Sequence, residues 1–342
     1  MKEALFGKTL TELQTIVNSL KMPAFAAVQL AGWLYRSEVK YIDDMTNISK
    51  RHRALLAAQF EIGRHAPVKV QTSVDGTKKY LFSTATAKYV ETAAIPDGGR
   101  LTVCVSSQVG CKMGCLFCMT GKQGFNGQLT AGEIVNQIRG IDDASAVTNV
   151  VYMGMGEPLD NLTEVLKSIE ILTADWGYAM SPGRITVSTI GVLPAMNVFL
   201  TSCDCNLALS LHTPFDNERQ QLMPAQLAWP VKRVLDEIRT FDFKRQRKLS
   251  FEYIVFGGVN DSPAHVKELA RILTGIKSHI NLIRFHPIPH SPLPQTDEQR
   301  LQQFKDALNQ KGILTTIRAS RGQDIFAACG LLSTKNQLAV NR

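Results

Sequence analysis

The chain has 342 residues, 44% of them apolar and 20% charged, a globular balance that excludes disorder, collagen-like repeats and a long coiled coil. At about 150 residues per domain, this length holds one large domain or a large and a small one. Lysine and arginine number 38 against 30 acidic residues, and the net +8 suits a polyanionic partner without requiring one.

The opening stretch, MKEALFGKTL, carries Glu3 and Lys8 where a secretory signal needs an apolar core, so a cytoplasmic protein is expected. Thr9 and Glu12 make a capping box ahead of Leu10, Leu13, Val17 and Leu20 at helical spacing. Pro23 ends that helix; residues 25–35 resume the pattern and 48–60 predict a third helix. Lys50, Arg51, His52 and Arg53 at its start read as a phosphate-contacting face or as an ordinary solvated one. Over 67–96 the pattern turns to strands, at 68–72, 80–83 and 89–95, with Asp75-Gly76 as a hairpin turn.

From Leu101 strands alternate with helices. Strands are expected at 101–106, 149–154, 184–189, 206–212, 249–256, 280–285 and 314–318. Helices fall between them at 130–141, 161–172, 230–241, 263–275 and 297–310. The uncharged stretch 185–203 is broken by Ser188, Gly191 and Pro194, so it reads as strand, turn and helix, not as a bilayer span. Alternation of this kind predicts an α/β fold, a partial (β/α)6 barrel with its chemistry at the C-terminal strand ends. The expected organisation is a helical module over 1–66, a β-extension over 67–100 and the barrel over 101–342 with a terminal segment carrying Cys329.

Seven cysteines, an odd number, argue against a disulfide scaffold. Cys111, Cys115 and Cys118 are spaced C-x3-C-x2-C just after the first barrel strand. Three thiolates on a short glycine-containing loop can each hold one iron of a cubane and leave the fourth iron open to a ligand. A zinc knob completed by a later Cys or His is the alternative. At 154–158, GMGEP ends a strand with glycines that admit a ligand and with Glu157, which can accept from an ammonium group. Ser188, Ser210 and His212 end further strands, and Asn281 lies in the sixth; each reads as ligand-facing or as a satisfied core polar group.

With Phe117 before the last cysteine, the loop resembles the signature of the radical S-adenosylmethionine superfamily. Nearly the whole chain resembles the RlmN/Cfr family of radical S-adenosylmethionine RNA methyltransferases. The likeness rests on the N-terminal module, Asp75-Gly76, Val90-Glu91-Thr92, "CVSSQVGC", Gly124-Phe125-Asn126, "GMGEPL", "ITVSTIG", "LSLH", "NLI" and "DIFAACG".

The resemblance implies that Cys111, Cys115 and Cys118 hold a [4Fe-4S] cluster. It implies S-adenosylmethionine contacts at Gly156, Glu157, Ser188, Ser210, Leu211, His212 and Asn281. Cys329 matches the methyl-carrying cysteine, Cys104 its partner and Glu91 the proton acceptor; Cys203 and Cys205 match nothing and are expected to be packing residues. The implied reaction methylates carbon 2 of adenosine in 23S rRNA, and beside the tRNA anticodon, using two S-adenosylmethionine molecules. Cys329 takes a methyl group, a radical joins that carbon to the base, and Cys104 releases the product by forming a transient disulfide. The target base must leave its stack to reach a barrel mouth. An electron donor such as flavodoxin, a monomeric state and no membrane partner are also implied. Ile190, "LSLHTPF" and "RFHPIPHSPLP" depart from the carbon-2 pattern, so methylation of carbon 8 is the runner-up. A radical enzyme acting on a small molecule or protein leaves Cys104 and Cys329 unexplained. A zinc-stabilised RNA-binding protein is the remaining alternative.

Overall fold

The computed structural model describes residues 2–334 apart from 38 and 244–246; of the basic stretch 244–248, which the sequence offers as a second phosphate-contacting cluster, only Arg247, which is buried, and Lys248 are described. The strands in chain order are β1 (Glu3–Ala4), β2 (Phe60–Glu61), β3 (Lys69–Thr72), β4 (Lys78–Ser83), β5 (Tyr89–Asp97), β6 (Arg100–Cys104) and β7 (Gln108–Val109). There follow β8 (Gly127–Gln128), β9 (Asn149–Tyr152), β10 (Ile185–Thr189), β11 (Asn206–Ser210), β12 (Leu249–Val255), β13 (His279–Arg284) and β14 (Thr315–Ile317). Ten of them form one sheet, ordered β14-β13-β12-β11-β10-β9-β6-β5-β4-β3.

β6 and β9 to β14 run parallel, each joined to the next by a crossover that contains a helix, so the α/β partial barrel is the architecture present. Parallel strands are covered on both faces, and β12, Leu-Ser-Phe-Glu-Tyr-Ile-Val, is buried at every residue. β3 to β6 pair antiparallel, so the hairpin region continues the barrel sheet past β6.

The helix starts follow from capping. Thr9 and Glu12, and Thr130 and Glu133, each exchange side-chain and backbone hydrogen bonds, which satisfies amides that the first turn leaves unpaired. Strand ends differ from expectation in a consistent way. The patterns over 101–106, 149–154 and 206–212 overrun β6, β9 and β11 by two residues each. Residues 105–106, 153–154 and 211–212 keep strand-like composition and stand beyond the paired registers, where Val105, Gly154 and Leu211 still donate single backbone hydrogen bonds to Val151, Val105 and Glu252.

The N-terminal helices Leu10–Ser19, Ala26–Ala31 and Lys50–Gln59 enclose Leu13, Leu30, Leu34, Met45 and Leu56, all fully buried. That cluster also takes in Val135 and Ile171 from two barrel helices. At the seam the backbones of Gly7 and Gly132 meet so closely that a Cβ on Gly7 would stand 2.3 Å from the Gly132 nitrogen. Lys50 and Arg51 are exposed at the start of their helix, whereas Arg53 is half-buried and donates to the Asp43 carbonyl. No helix among the described residues is long and apolar enough to cross a membrane.

Candidate active site

The cysteine loop leaves β7 and runs into the short helix Met119–Gln123. The Cys111 amide donates to the Gly124 carbonyl at 3.2 Å, and the Leu116 amide to the Leu222 carbonyl at 2.9 Å, which pins the loop at both ends of its turn. Cys111, Cys115 and Cys118 line one cavity of about 150 Å³ at the C-terminal ends of the strands. Burial pushes the Cys111 thiol up to about 12 and Cys115 well above its ordinary value, so the cavity by itself favours thiols. Bound iron reverses that balance, because a coordinating sulfur must be a thiolate. No three His, Cys, Asp or Glu side chains among the described residues gather at a single point suited to one ion. The three thiols surround a volume, and that donor set fits a multi-iron cluster.

Two polar side chains of the segment joining β6 to this loop, Ser106 and Gln108, are used up by structure, while the Ser107 hydroxyl is buried without a hydrogen-bond partner. Ser106 donates to the Glu91 carbonyl at 2.6 Å and accepts from the Met155 amide at 2.9 Å. Gln108 accepts from the Glu157 amide at 2.8 Å and donates to Asp160 at 2.6 Å. These bonds clamp the GMGE turn against β7. Gly156 has φ +102°, and a Cβ there would lie 2.6 Å from Gln108, so only glycine serves. The Glu157 side chain accepts from the amides of Leu159 at 3.1 Å and Ile190 at 3.0 Å. Ile190 therefore contributes through its backbone. Burial raises the Glu157 carboxyl to about 7, against the lowering effect of Thr189, Ile190 and Leu159.

Ser188, Ser210 and His212 line the same cavity; Leu211, between the last two, is fully buried and does not. His212 has φ +59°, and its Nδ1 accepts from the Ile254 amide at 3.0 Å. Burial, with Arg219 adding to it, lowers the His212 pKa to about 3, so the ring is neutral and presents Nε2–H. Phe117 meets that ring edge-on with centroids 4.7 Å apart.

Arg219, 1% exposed, holds these strand ends together. It donates to the carbonyls of Leu211 at 3.2 Å, Ser210 at 3.0 Å and Ile190 at 3.1 Å, and to Gln226. Arg219→Met leaves those acceptors buried without donors, at a cost of about 3 kcal/mol or more. Urea denaturation measures this, and a loss below about 1 kcal/mol would show that water replaces the guanidinium there.

Asn281 stands apart from the cavity. Its amide donates to Glu252 at 2.9 Å and its carbonyl accepts from Thr316 at 2.9 Å, so it supports Glu252, which does line the cavity. Glu252 also accepts from Arg318 at 3.3 Å. Arg318 borders both this cavity and a larger one of about 410 Å³ lined by Cys104 and Cys329. Burial opposes the Arg318 charge, and Glu252 with the two thiols more than restores it. Burial likewise pushes the Cys104 thiol up to about 12, with Cys329 adding and Arg318 opposing.

Cys329 is exposed and lines both cavities. Its segment is docked on the cysteine loop: the Met119 amide donates to the Gly330 carbonyl at 2.9 Å and Thr120 to the Leu332 carbonyl at 2.7 Å. Glu91 is fully buried and lines neither cavity; it pairs with Lys79 at 3.1 Å and accepts from the Ser333 amide at 2.9 Å. Sequence reasoning missed Arg318, Glu252 and His286. His286 borders the larger cavity, bonds Ser320 at 3.0 Å and has a buried Nδ1 with no hydrogen-bond partner. An acidic residue inside the apolar LSFEYIV strand and an arginine at a strand end are the signals that could have found the first two.

Comparison with known proteins agrees with this geometry. The family described as Radical SAM superfamily matches residues 105–307, and the Ribosomal RNA large subunit methyltransferase N-terminal domain matches residues 4–62. A probable dual-specificity RNA methyltransferase RlmN from Phocaeicola vulgatus is 54% identical over 98% of this chain and 96% of its own. The dual-specificity RNA methyltransferase RlmN from Lawsonia intracellularis is 40% identical over 93% of each chain. The crystal structure of a radical SAM methyltransferase from Sphaerobacter thermophilus superposes with a TM-score of 0.90 at 38% identity, covering 96% of this chain and 99% of that one. The chain belongs to the RlmN family of radical S-adenosylmethionine RNA methyltransferases, enzymes that use a [4Fe-4S] cluster and S-adenosylmethionine.

Proposed function

We propose that this chain methylates carbon 2 of an adenosine in 23S rRNA and in tRNA, through a methyl group carried on Cys329 and a transient Cys104–Cys329 disulfide. The observation that supports this reading is that both thiols line one cavity, which shares Cys118, Met153, Gly154, Arg318 and Cys329 with the cavity of the cluster loop. Carbon 2 of adenine is electron-poor and does not attack a sulfonium methyl, so a thiolate must take the methyl first. Cys329, exposed beside the Arg318 guanidinium, is the nucleophile. Bound at Cys111, Cys115 and Cys118, the cluster with S-adenosylmethionine supplies the hydrogen-abstracting radical. Once the adduct has given up its odd electron to the electron carrier, the Cys104 thiolate attacks the Cys329 sulfur: the S–S bond forms, the bond from that sulfur to the product carbon breaks, that carbon takes a proton to become the methyl group, and a dithiol reductant restores the two thiols. Glu91 accepts the ring proton once the segment after Cys329 moves its Ser333 amide off the carboxylate.

The reading extends to the helical module over 1–66 as an RNA-contacting unit, with Lys50 and Arg51 open to phosphate. It includes a flavodoxin-type electron donor, a monomer and a cytoplasmic site of action. Gly156, Glu157, Ser188, Ser210 and His212 hold S-adenosylmethionine, with Glu157 on its ammonium group. That role needs the carboxylate. A carboxyl raised to about 7 must lose a proton to bind below that pH and is already ionised above it. S-adenosylmethionine affinity should therefore fall about tenfold from pH 8 to pH 6. Calorimetry on the iron-loaded protein reads this, and Glu157→Gln should flatten the profile.

Digestion of reacted rRNA and tRNA to nucleosides tests the whole reading. 2-Methyladenosine is expected from both RNAs. 8-Methyladenosine would transfer the chain to the alternative carbon, and N-methylated adenosine would overturn the radical route.

A further inference from the structure

Cys203 and Cys205 lie far from this chemistry in the fold. They flank the turn between the helix Leu193–Ser202 and β11, at the N-terminal end of the strand whose other end carries Ser210. Cys203 is half-buried and Cys205 is fully buried. Two residues apart in the chain, both border a cavity of about 560 Å³ together with Lys167, Glu170 and Asp204. As a thiol, Cys203 donates weakly to the Phe199 carbonyl at 3.6 Å.

Beside them sits Arg247, 7% exposed. Its guanidinium lies over the rings of Phe199, Phe241 and Phe243 at 5.2, 5.5 and 5.9 Å. It donates to the Leu200 carbonyl at 2.8 Å, while its Nε and Nη2 are buried with no hydrogen-bond partner. A cation taken out of water needs negative charge nearby. The groups within its field are Cys203, Cys205 and Asp204.

We infer that Cys203 and Cys205 form a second, redox-active site, in which a hydroperoxide oxidises Cys203 and Cys205 closes the pair to a disulfide. In the first step the Cys203 thiolate attacks the peroxide oxygen. The O–O bond breaks, an alcohol or water leaves with a proton, and Cys203 becomes a sulfenic acid. In the second step the Cys205 sulfur displaces that hydroxyl, water leaves and the S–S bond forms. Two thiols are oxidised by two electrons, one peroxide is reduced, and a dithiol reductant restores the pair. The pairing supplies what a reactive site needs: a partly exposed sulfur, a guanidinium nearby and a resolving thiol two residues along the chain on the same cavity. The neighbouring Cys205, with Arg247 assisting, lowers the Cys203 thiol while Cys205 itself is raised. Lys167 is occupied by Glu12 and Glu164 at the far side of the cavity.

The test uses the full chain, reconstituted with iron under anoxia and treated with hydrogen peroxide in the presence of a chelator. Free thiols are then alkylated and the peptide spanning Cys203 and Cys205 is weighed. Wild type should give an internal disulfide that dithiothreitol reverses. Cys205→Ser should stop at a Cys203 sulfenic acid that dimedone traps. Arg247→Met should slow alkylation of Cys203 about tenfold. If that variant does not fold, the Cys205→Ser trapping decides alone. Two free thiols in this peptide after peroxide has oxidised Cys329, or a bond from Cys203 to any other cysteine, overturns the proposal.

Discussion

Cys104→Ala protein should accumulate a covalent RNA adduct on Cys329, while Cys329→Ala protein should form no adduct and carry no methyl group. The two thiols share a cavity but differ in setting. Cys329 is exposed between the two cavities, so it can meet a methyl donor on one side and RNA on the other. Cys104 is 8% exposed, packed with Ala93 and Ala327, and burial favours its thiol form. On the proposed scheme, removing Cys104 leaves methyl transfer and bond formation to the base intact and deletes the step that frees the product. Turnover should drop by a factor of about a thousand or more in both variants. A denaturing gel separates adduct from free protein, and iron content should match wild type in both, because neither residue belongs to the C-x3-C-x2-C loop. Normal turnover by Cys104→Ala would refute the two-cysteine scheme.

Replacing Cys111, Cys115 or Cys118 with alanine should abolish both the brown colour and the iron, about four atoms per chain in the reconstituted wild type. Three protein ligands leave no spare donor to hold a cubane when one is lost. The fold should survive, because the loop is tied by the Cys111, Leu116 and Met119 amides, which the substitutions leave in place. Absorbance near the cluster band and far-ultraviolet circular dichroism separate the two effects. An alanine variant that keeps its iron would mean that another residue completes the site. Stoichiometric zinc without iron in the reconstituted wild type would instead support a zinc centre.

The alternation of strands and helices from Leu101 onward, the cysteine spacing and the capping residues were legible in the amino-acid order. Each depends on neighbours within a few positions: period, turn chemistry and ligand spacing. The cluster loop could thus be read before any fold was known, and Cys104, Cys329 and Glu91 only by resemblance. Tertiary structure alone decided where strands stop. The overrun residues 105–106, 153–154 and 211–212 look like strand, but beyond β6, β9 and β11 the pairing thins to single backbone bonds such as Val105 to Val151 and Leu211 to Glu252. It also decided that Asn281 supports Glu252 instead of facing the cavity, since the pleat and the partners on β12 and β14 set its direction. Arg318, 66 residues from Glu252 and still further in sequence from Cys104, reaches both only because β14 lies two strands from β12. Charges that answer one another across a sheet leave no periodic trace in a chain, because their spacing is set by crossover lengths that packing tolerates freely.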